Sequence, residues 1–326
     1  MERNTQFENR IDLGELNQLI NQIKFEIQKV IVGQEKNIDL LLVGLFSKGH
    51  ILIEGVPGIA KTLSAKLLAK AISSDFSRIQ FTPDLMPSDV LGTTIFNMSK
   101  SEFEFNQGPI FSNIVLIDEI NRAPAKTQSA LFEVMEEYQV SIDGNTYKMD
   151  EPFWVLATQN PIEQEGTYRL PEAQLDRFLM KVEFEYPSEE EELSILETKH
   201  ERRGALETQI INKVISADQI KEMQDRVQFI HIDENLRKYI VQIVQKTRNH
   251  PGIILGASPR ASVSVMTAAK AFAAIHGRDF VTPDDIKNIV APVLHHRLIL
   301  TPEKEMEGIK PKEIIHHILE GIEIPR

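Results

Sequence analysis

The apolar positions of this chain follow two rhythms. Up to about residue 187, short apolar runs of strand length alternate with helical periods; beyond it the period is helical throughout. Residues 1–12 are polar and read as loose. Leu16, Ile20, Ile23 and Ile27 then share one helical face, and Ile38, Leu41, Leu42 and Leu45 another, with the apolar turn Val30-Ile31-Val32-Gly33-Gln34 between them. Ile51-Leu52-Ile53 reads as a short buried strand, and a helix from near Lys61 carries Leu63, Leu67 and Ala71 on one side. Residues 79–82 predict a second strand. Residues 92–111 hold two alternating pieces, Thr94-Ile95-Phe96-Asn97 and Glu102-Phe103-Glu104-Phe105, which predict a small β-insertion. Ile114-Val115-Leu116-Ile117 is a strand apolar on both faces. Leu131, Val134, Met135 and Tyr138 mark a helix, residues 139–142 and 146–149 a hairpin around Asp143-Gly144-Asn145, and residues 153–158 a further buried strand.

Pro187 opens an acidic helix from Glu189 to about His200, and residues 201–215 read as a linker. Ser216 and Asp233 are helix-cap candidates, the second ahead of Leu236, Ile240, Ile243 and Val244. Ser258-Pro259-Arg260 and Thr282-Pro283-Asp284 each read as a cap followed by a first-turn proline, and Gly277 as a helix stop. The pattern predicts an α/β domain over residues 1–187, with a parallel sheet flanked by helices. A connecting helix and linker over 188–215 lead to an all-helical domain over 216–326.

With 326 residues, 42% hydrophobic and 26% charged, the chain is globular and long enough for two domains. A net charge of −12 argues against a general nucleic-acid or anionic-membrane surface. The absence of cysteine removes disulfides, thiolate zinc sites and cysteine nucleophiles. No apolar run approaches the ~20 residues that span a bilayer, and Met1-Glu2-Arg3-Asn4 carries no signal-peptide pattern, so a cytoplasmic protein is expected.

The chemistry concentrates after two of the strands. Gly55-Val56-Pro57-Gly58-Ile59-Ala60-Lys61-Thr62 is a glycine-containing loop running from a strand into a helix, which suits a polyphosphate: backbone N–H groups form a nest and the helix start adds partial positive charge. Lys61 is placed to reach terminal phosphates and the Thr62 hydroxyl to ligate Mg²⁺. Ala60 stands where a last glycine is usual; because the helix opens there, its backbone is expected to tolerate a Cβ. Asp118 and Glu119 end the most apolar strand, where ligands gather in parallel sheets. Asp118 is the candidate for the Mg²⁺ shell and Glu119 for polarising an attacking water. Gln159 and Asn160 follow the next buried strand, where an amide can orient that water or serve only to cap a turn.

On these residues the chain resembles the MoxR-type AAA+ ATPases. The likeness extends from Ile31-Val32-Gly33-Gln34 to His296-Arg297. It rests on the phosphate loop, on Asp118-Glu119-Ile120-Asn121-Arg122-Ala123-Pro124, Ala157-Thr158-Gln159-Asn160-Pro161 and Glu165-Gly166-Thr167-Tyr168. It rests also on Leu170-Pro171-Glu172-Ala173-Gln174-Leu175-Asp176-Arg177-Phe178 and Gly256-Ala257-Ser258-Pro259-Arg260. Alanine at position 60 is common in that subfamily, while Arg169 replaces a more usual proline. The resemblance implies an AAA+ core with a C-terminal helical lid. It implies Asn160 as sensor 1, Arg177 as an arginine finger, Arg260 as the sensor-2 arginine, and Val32 and Gly33 as the segment lining the adenine. Residues 55–63, Leu63 included, would hold the nucleotide. A finger acting in trans implies a homo-oligomeric ring, most often a hexamer. The family further implies a protein client, handled in a chaperone-like way, and a partner bearing a von Willebrand factor A domain.

Two other classes compete with this reading. A nucleic-acid translocase shares the same insertions, but the hairpin tip at 141–145 carries an acid and no base, with only Lys148 after it. A nucleotide-switched scaffold with little turnover would need a damaged site, whereas Glu119 and Arg177 are both present. The pairs His295-His296 and His316-His317 cannot chelate from one helical face and are expected to be solvated or at a core edge. The run Glu189-Glu190-Glu191-Glu192 reads as a solvated helix start.

Overall fold

Five strands lie side by side in the order Met180–Glu183, Ile51–Glu54, Trp154–Gln159, Ile114–Asp118 and Phe76–Gln80, every neighbouring pair parallel. The computed structural model describes residues 12–160, 168, 170–202 and 207–325. The expectations for residues 1–11, for Pro161 and Glu165-Gly166-Thr167, for Arg169 and for linker positions 203–206 lie outside the described residues.

The two strands read from near-continuous apolar runs, Ile114–Asp118 and Trp154–Gln159, are interior to the sheet and buried on both faces. Val115, Ile117, Val155 and Ala157 share a core with Leu131, Phe132, Val134 and Met135 of the helix Ala125–Glu137. The helix Lys61–Ala71 also packs on the two interior strands, burying Leu67, Leu68 and Ala71. Strand register matters for function. Glu54 is level with Gln159, and Gln80 with Asp118, so the loop after Glu54, Glu119 and Asn160 all leave the same edge of the sheet.

Several local expectations shift. The edge strand starts at Phe76, three residues ahead of the predicted position 79. The hairpin at 139–148 turns on two residues, not three: Asn145 pairs with Ile142, and Asp143 and Gly144 have φ of 51° and 80°. That is the left-handed pair that a two-residue hairpin needs. The β-insertion is present as Gly92–Asn97 paired antiparallel with Glu102–Gln107. Part of the expected linker is structured: residues 207–210 are helical, and Ile215–Ser216 pairs with Ile72–Ser73.

Ala60 departs from expectation more sharply. It precedes the helix Lys61–Ala71 with φ 63° and ψ 18°, so the tolerance expected of this position does not hold. The chain must turn from the loop into the helix at that residue, and it does so through the left-handed region, where a Cβ costs about 1 kcal/mol.

Contacts divide the chain into two units. One comprises residues 23–41 and 48–221, and holds the sheet. The other comprises the described residues up to Gln22, residues 42–47, and the chain from Glu222 onward. This division differs from the expected bounds by assigning early helical residues to the C-terminal unit. There, helices Glu234–Arg248, Pro259–Ile275, Pro283–Leu294 and Pro311–Glu320 pack together. Asp233 accepts from Asn235 N–H at 2.7 Å, and Thr282 with Asp285 forms a reciprocal cap, as their positions before helices predict. Asp285, buried, also takes both guanidinium N–H groups of Arg278 at 2.5 and 2.6 Å. Of the two alternatives expected for the histidine pairs, His295 and His296 take the buried one, in the single turn His295–Arg297 with their rings 79° apart, and His316 and His317 the solvated one. Among the described residues no cluster of side chains suited to a metal ion is found, and no helix is long and apolar enough to cross a membrane.

Candidate active site

The loop between Glu54 and Lys61 is shaped by two glycines with different duties. At Gly55 a Cβ would lie 2.8 Å from the Phe184 carbonyl oxygen, so close packing excludes a side chain. At Gly58, φ of 86° is what demands glycine; the space beside it is open. Lys61 folds over this loop, donating from Nζ to the Gly55 carbonyl and to the Gln159 carbonyl at 3.3 Å.

A cavity of about 410 Å³ lies over the loop, lined by Gly58, Lys61, Thr62, Arg78, Asp118, Glu119 and Asn160 among others. Residues from four separate stretches of sequence meet in it. Asp118, only 4% exposed, is held on three sides: its Oδ1 accepts from Thr62 Oγ1 at 3.0 Å and Thr158 Oγ1 at 3.1 Å, and its Oδ2 from Arg78 Nε at 2.5 Å. Thr158 in turn accepts from the Glu119 N–H at 3.0 Å. Glu119 has φ 59°, strained for a residue with a side chain, and its Oε2 accepts from Gln80 Nε2 and from an Arg122 N–H, both at 2.8 Å. Asn160 is buried at the end of its strand. The Thr62 hydroxyl and the Asp118 carboxylate are hard oxygen donors side by side on the wall, a set that fits Mg²⁺ and not a soft metal.

A second cavity, of about 280 Å³, adjoins the first and shares Gly58, Ala60 and Leu63 with it. Val30, Ile31, Val32 and Gln34 line one part, and Pro187, Ile195, Thr198, Lys199 and Arg202 another. It is a largely apolar slot continuous with a polar one, the form that a flat base attached to a polyphosphate requires. Gly33 sits beside this turn with φ 67°; a Cβ there would fall 2.2 Å from the Glu191 carboxylate. Gln34 ties the turn to the segment just after the strand Met180–Glu183 by donating to the Glu185 carbonyl at 3.1 Å. Val56, Pro57 and Ile59 complete the loop; Pro57 faces the polar cavity and Ile59 the apolar one.

The two remaining predicted arginines lie elsewhere. Arg177 follows the short helix Glu172–Leu175 and does not line the cavity of its own chain; it pairs with Glu136 at 3.0 Å, with Cζ 6.0 Å from the Phe132 ring centre. Arg260 is exposed in the first turn of Pro259–Ile275, in the C-terminal unit. The stretch leading to it is pinned where Gly256 meets the backbone: a Cβ there would fall 2.7 Å from Arg248 Cα, and Ala257 N–H donates to Thr247 Oγ1 at 3.0 Å.

Arg78, Gln80, Arg122 and Thr158 are the residues sequence reasoning missed. For the first two the available signal was the polar alternation Ser77-Arg78-Ile79-Gln80, legible only once the strand is known to begin at Phe76. The helix Glu189–Arg202 starts with the exposed Glu189, Glu190 and Glu192, as expected of that run, and further along supplies four of the slot's lining residues, a role its sequence does not signal.

Residues 50–180 match the family described as "ATPase family associated with various cellular activities (AAA)", and residues 245–318 match an AAA lid domain. The chain is 49% identical to the uncharacterised protein YeaC of Bacillus subtilis, over 95% of this chain and 96% of that one. It is 44% identical to Chaperone MoxR1 of Mycobacterium tuberculosis, over 93% of this chain and 81% of that one. A crystallised protein of Cytophaga hutchinsonii, described as a candidate ATPase, superposes with a TM-score of 0.88 at 45% identity, each chain covered to 97%. Taken with the nucleotide-shaped groove, these likenesses make the chain a member of the MoxR-type AAA+ ATPases.

Proposed function

We propose that this ATPase hydrolyses ATP in a Mg²⁺-dependent way within a homo-oligomeric ring, hexameric by our reading, and that its nucleotide state acts on a protein client. The observation that carries the proposal is the meeting of Lys61, Thr62, Asp118, Glu119 and Asn160 in one cavity, next to an apolar slot. Val32, Gly33 and Leu63 cradle the adenine; loop residues 55–62 bind the phosphates through their N–H groups, and Lys61 adds charge at the terminal ones. Thr62 and Asp118 hold Mg²⁺, which when bound offsets phosphate charge. Glu119 accepts a proton from the attacking water, and Asn160 orients that water.

Arg177 serves a neighbouring subunit. Its position outside its own chain's cavity supports a role in trans, where a guanidinium can be worth roughly 10³–10⁵ in rate. Arg260 is the corresponding sensor on the lid. The chaperone-like role is supported by the name of the M. tuberculosis relative. A partner with a von Willebrand factor A domain is an extension of the same reading, and capture on a Glu119→Gln bait tests it.

The direct test is nucleotide binding and turnover measured separately. Lys61→Ala should abolish measurable ATP affinity, while Glu119→Gln should bind ATP as the wild type does and hydrolyse it at least ~100-fold more slowly. Wild-type protein that binds no ATP in the presence of Mg²⁺ would overturn the reading.

A further inference from the structure

Phe76–Gln80 is the edge strand of the sheet, and its pleat turns Arg78 and Gln80 to the cavity while Ile79 enters the core. Arg78 donates from Nε to Asp118 Oδ2 at 2.5 Å, and its terminal nitrogen reaches Gln80 Oε1 at 3.5 Å. The partners are unequal. The Asp118 side chain is 6% exposed and fixed by two hydroxyls, whereas that of Arg78 is 44% exposed. A buried carboxylate without a counter-charge is strongly unfavourable, and here the guanidinium supplies that charge. Being always protonated and half in solvent, Arg78 can leave Asp118 by rotating its side chain, with no change in the strand.

Asp118 is also the carboxylate assigned above to the metal ion, so two cations have claims on one group. We propose that Arg78 is a positioning residue that holds Asp118 in the metal-free site, so that Mg²⁺ gains this carboxylate only by displacing a guanidinium. The inference rests on the ATPase reading above. Its consequence is that the bare protein binds Mg²⁺ weakly. The ion enters with the nucleotide, whose phosphates offer the displaced guanidinium an anion in the cavity it already lines.

Arg78→Met removes the charge while keeping an unbranched stem. Binding of a fluorescent ATP analogue, titrated with Mg²⁺, should reach its half-point at about tenfold lower Mg²⁺ in this variant, since one positive charge beside the ion is gone. Mn²⁺ alone, read by electron paramagnetic resonance, should bind the nucleotide-free variant more tightly than the nucleotide-free wild type. Arg78→Gln should shift both readouts the same way and replaces the methionine variant should that one fail to fold. Arg78→Lys, which keeps a cation, should return them toward wild type. An unchanged Mg²⁺ half-point, with or without a lower melting temperature, would mean that Arg78 merely balances a buried charge and would overturn the proposal. So would weaker analogue binding at every Mg²⁺ concentration with the half-point unmoved, which would make Arg78 a phosphate ligand. A wild type that binds no analogue at any Mg²⁺ concentration would instead strike the ATPase reading itself.

Discussion

Thr158 donates its hydroxyl to Asp118 Oδ1 at 3.1 Å, from the strand next to the one that ends in that acid. Thr158 Oγ1 also accepts the Glu119 N–H at 3.0 Å, so one threonine fixes both the carboxylate of one acid and the backbone of the next. Thr158→Val keeps the shape and removes both bonds. It should cost about 1–3 kcal/mol of unfolding free energy, seen in a denaturant midpoint. It should also lower ATP turnover at least ~10-fold through misplacement of Glu119. Thr158→Ser should recover most of both losses; a valine variant with wild-type turnover would show that the bridge is dispensable.

Ala60 pays for a conformation that glycine adopts freely, at φ 63°. Ala60→Gly should therefore raise the melting temperature, by an amount corresponding to under about 1 kcal/mol after allowance for the more flexible unfolded chain. Differential scanning calorimetry measures this. A fall in stability would show that the methyl group gains more in packing than it loses in strain.

Arg177 is proposed to act on the neighbouring subunit, and mixing variants tests this. Neither Arg177→Ala nor Glu119→Gln rings should turn over ATP, yet mixed rings should recover part of the rate at interfaces that join an intact finger to an intact Glu119. Intact mixed rings, verified by light scattering, that stay inactive at every ratio would count against the finger.

His50 is buried between Tyr138 and Phe153, with Nδ1 accepting from Val155 N–H at 3.0 Å and Nε2 donating to the Met135 carbonyl at 3.1 Å. Burial pushes its pKa from 6.5 down to about 4, against the smaller opposing effect of the Met135 bond. The folded state thus favours the neutral ring. Its contribution is complete above about pH 6.5 and is lost as pH falls from there toward 4, amounting to roughly 3 kcal/mol. Urea midpoints should fall between pH 7 and pH 5, and the slope should flatten in His50→Gln; an unaltered slope in that variant would assign the acid sensitivity to other groups.

Legibility in the sequence followed burial. Ile114–Asp118 and Trp154–Gln159 were readable because a strand covered on both faces must be apolar at nearly every position. The edge strand was cut short because only Ile79 of its five residues is buried, so Phe76, Ser77 and Arg78 left no apolar run to detect. Arg78 was missed for that reason. The part that the helix Glu189–Arg202 takes in the slot is hidden for a related reason: none of its residues is fully buried, yet Ile195, Thr198, Lys199 and Arg202 line the slot.

What the sequence determined by itself was the passage from strand through loop to helix at Lys61 and the placing of Asp118 and Glu119 at a strand end, because both depend on residues a few positions apart along the chain. It determined the helical caps at Asp233 and Thr282 for the same local reason. Only the tertiary structure decided that Arg78 rests on Asp118, that Gln80 and Arg122 share one oxygen of Glu119, and that Ala60 turns left-handed. Arg78 and Asp118 are separated by thirty-nine intervening residues and meet through strand pairing, and no periodicity along the chain encodes which strands become neighbours.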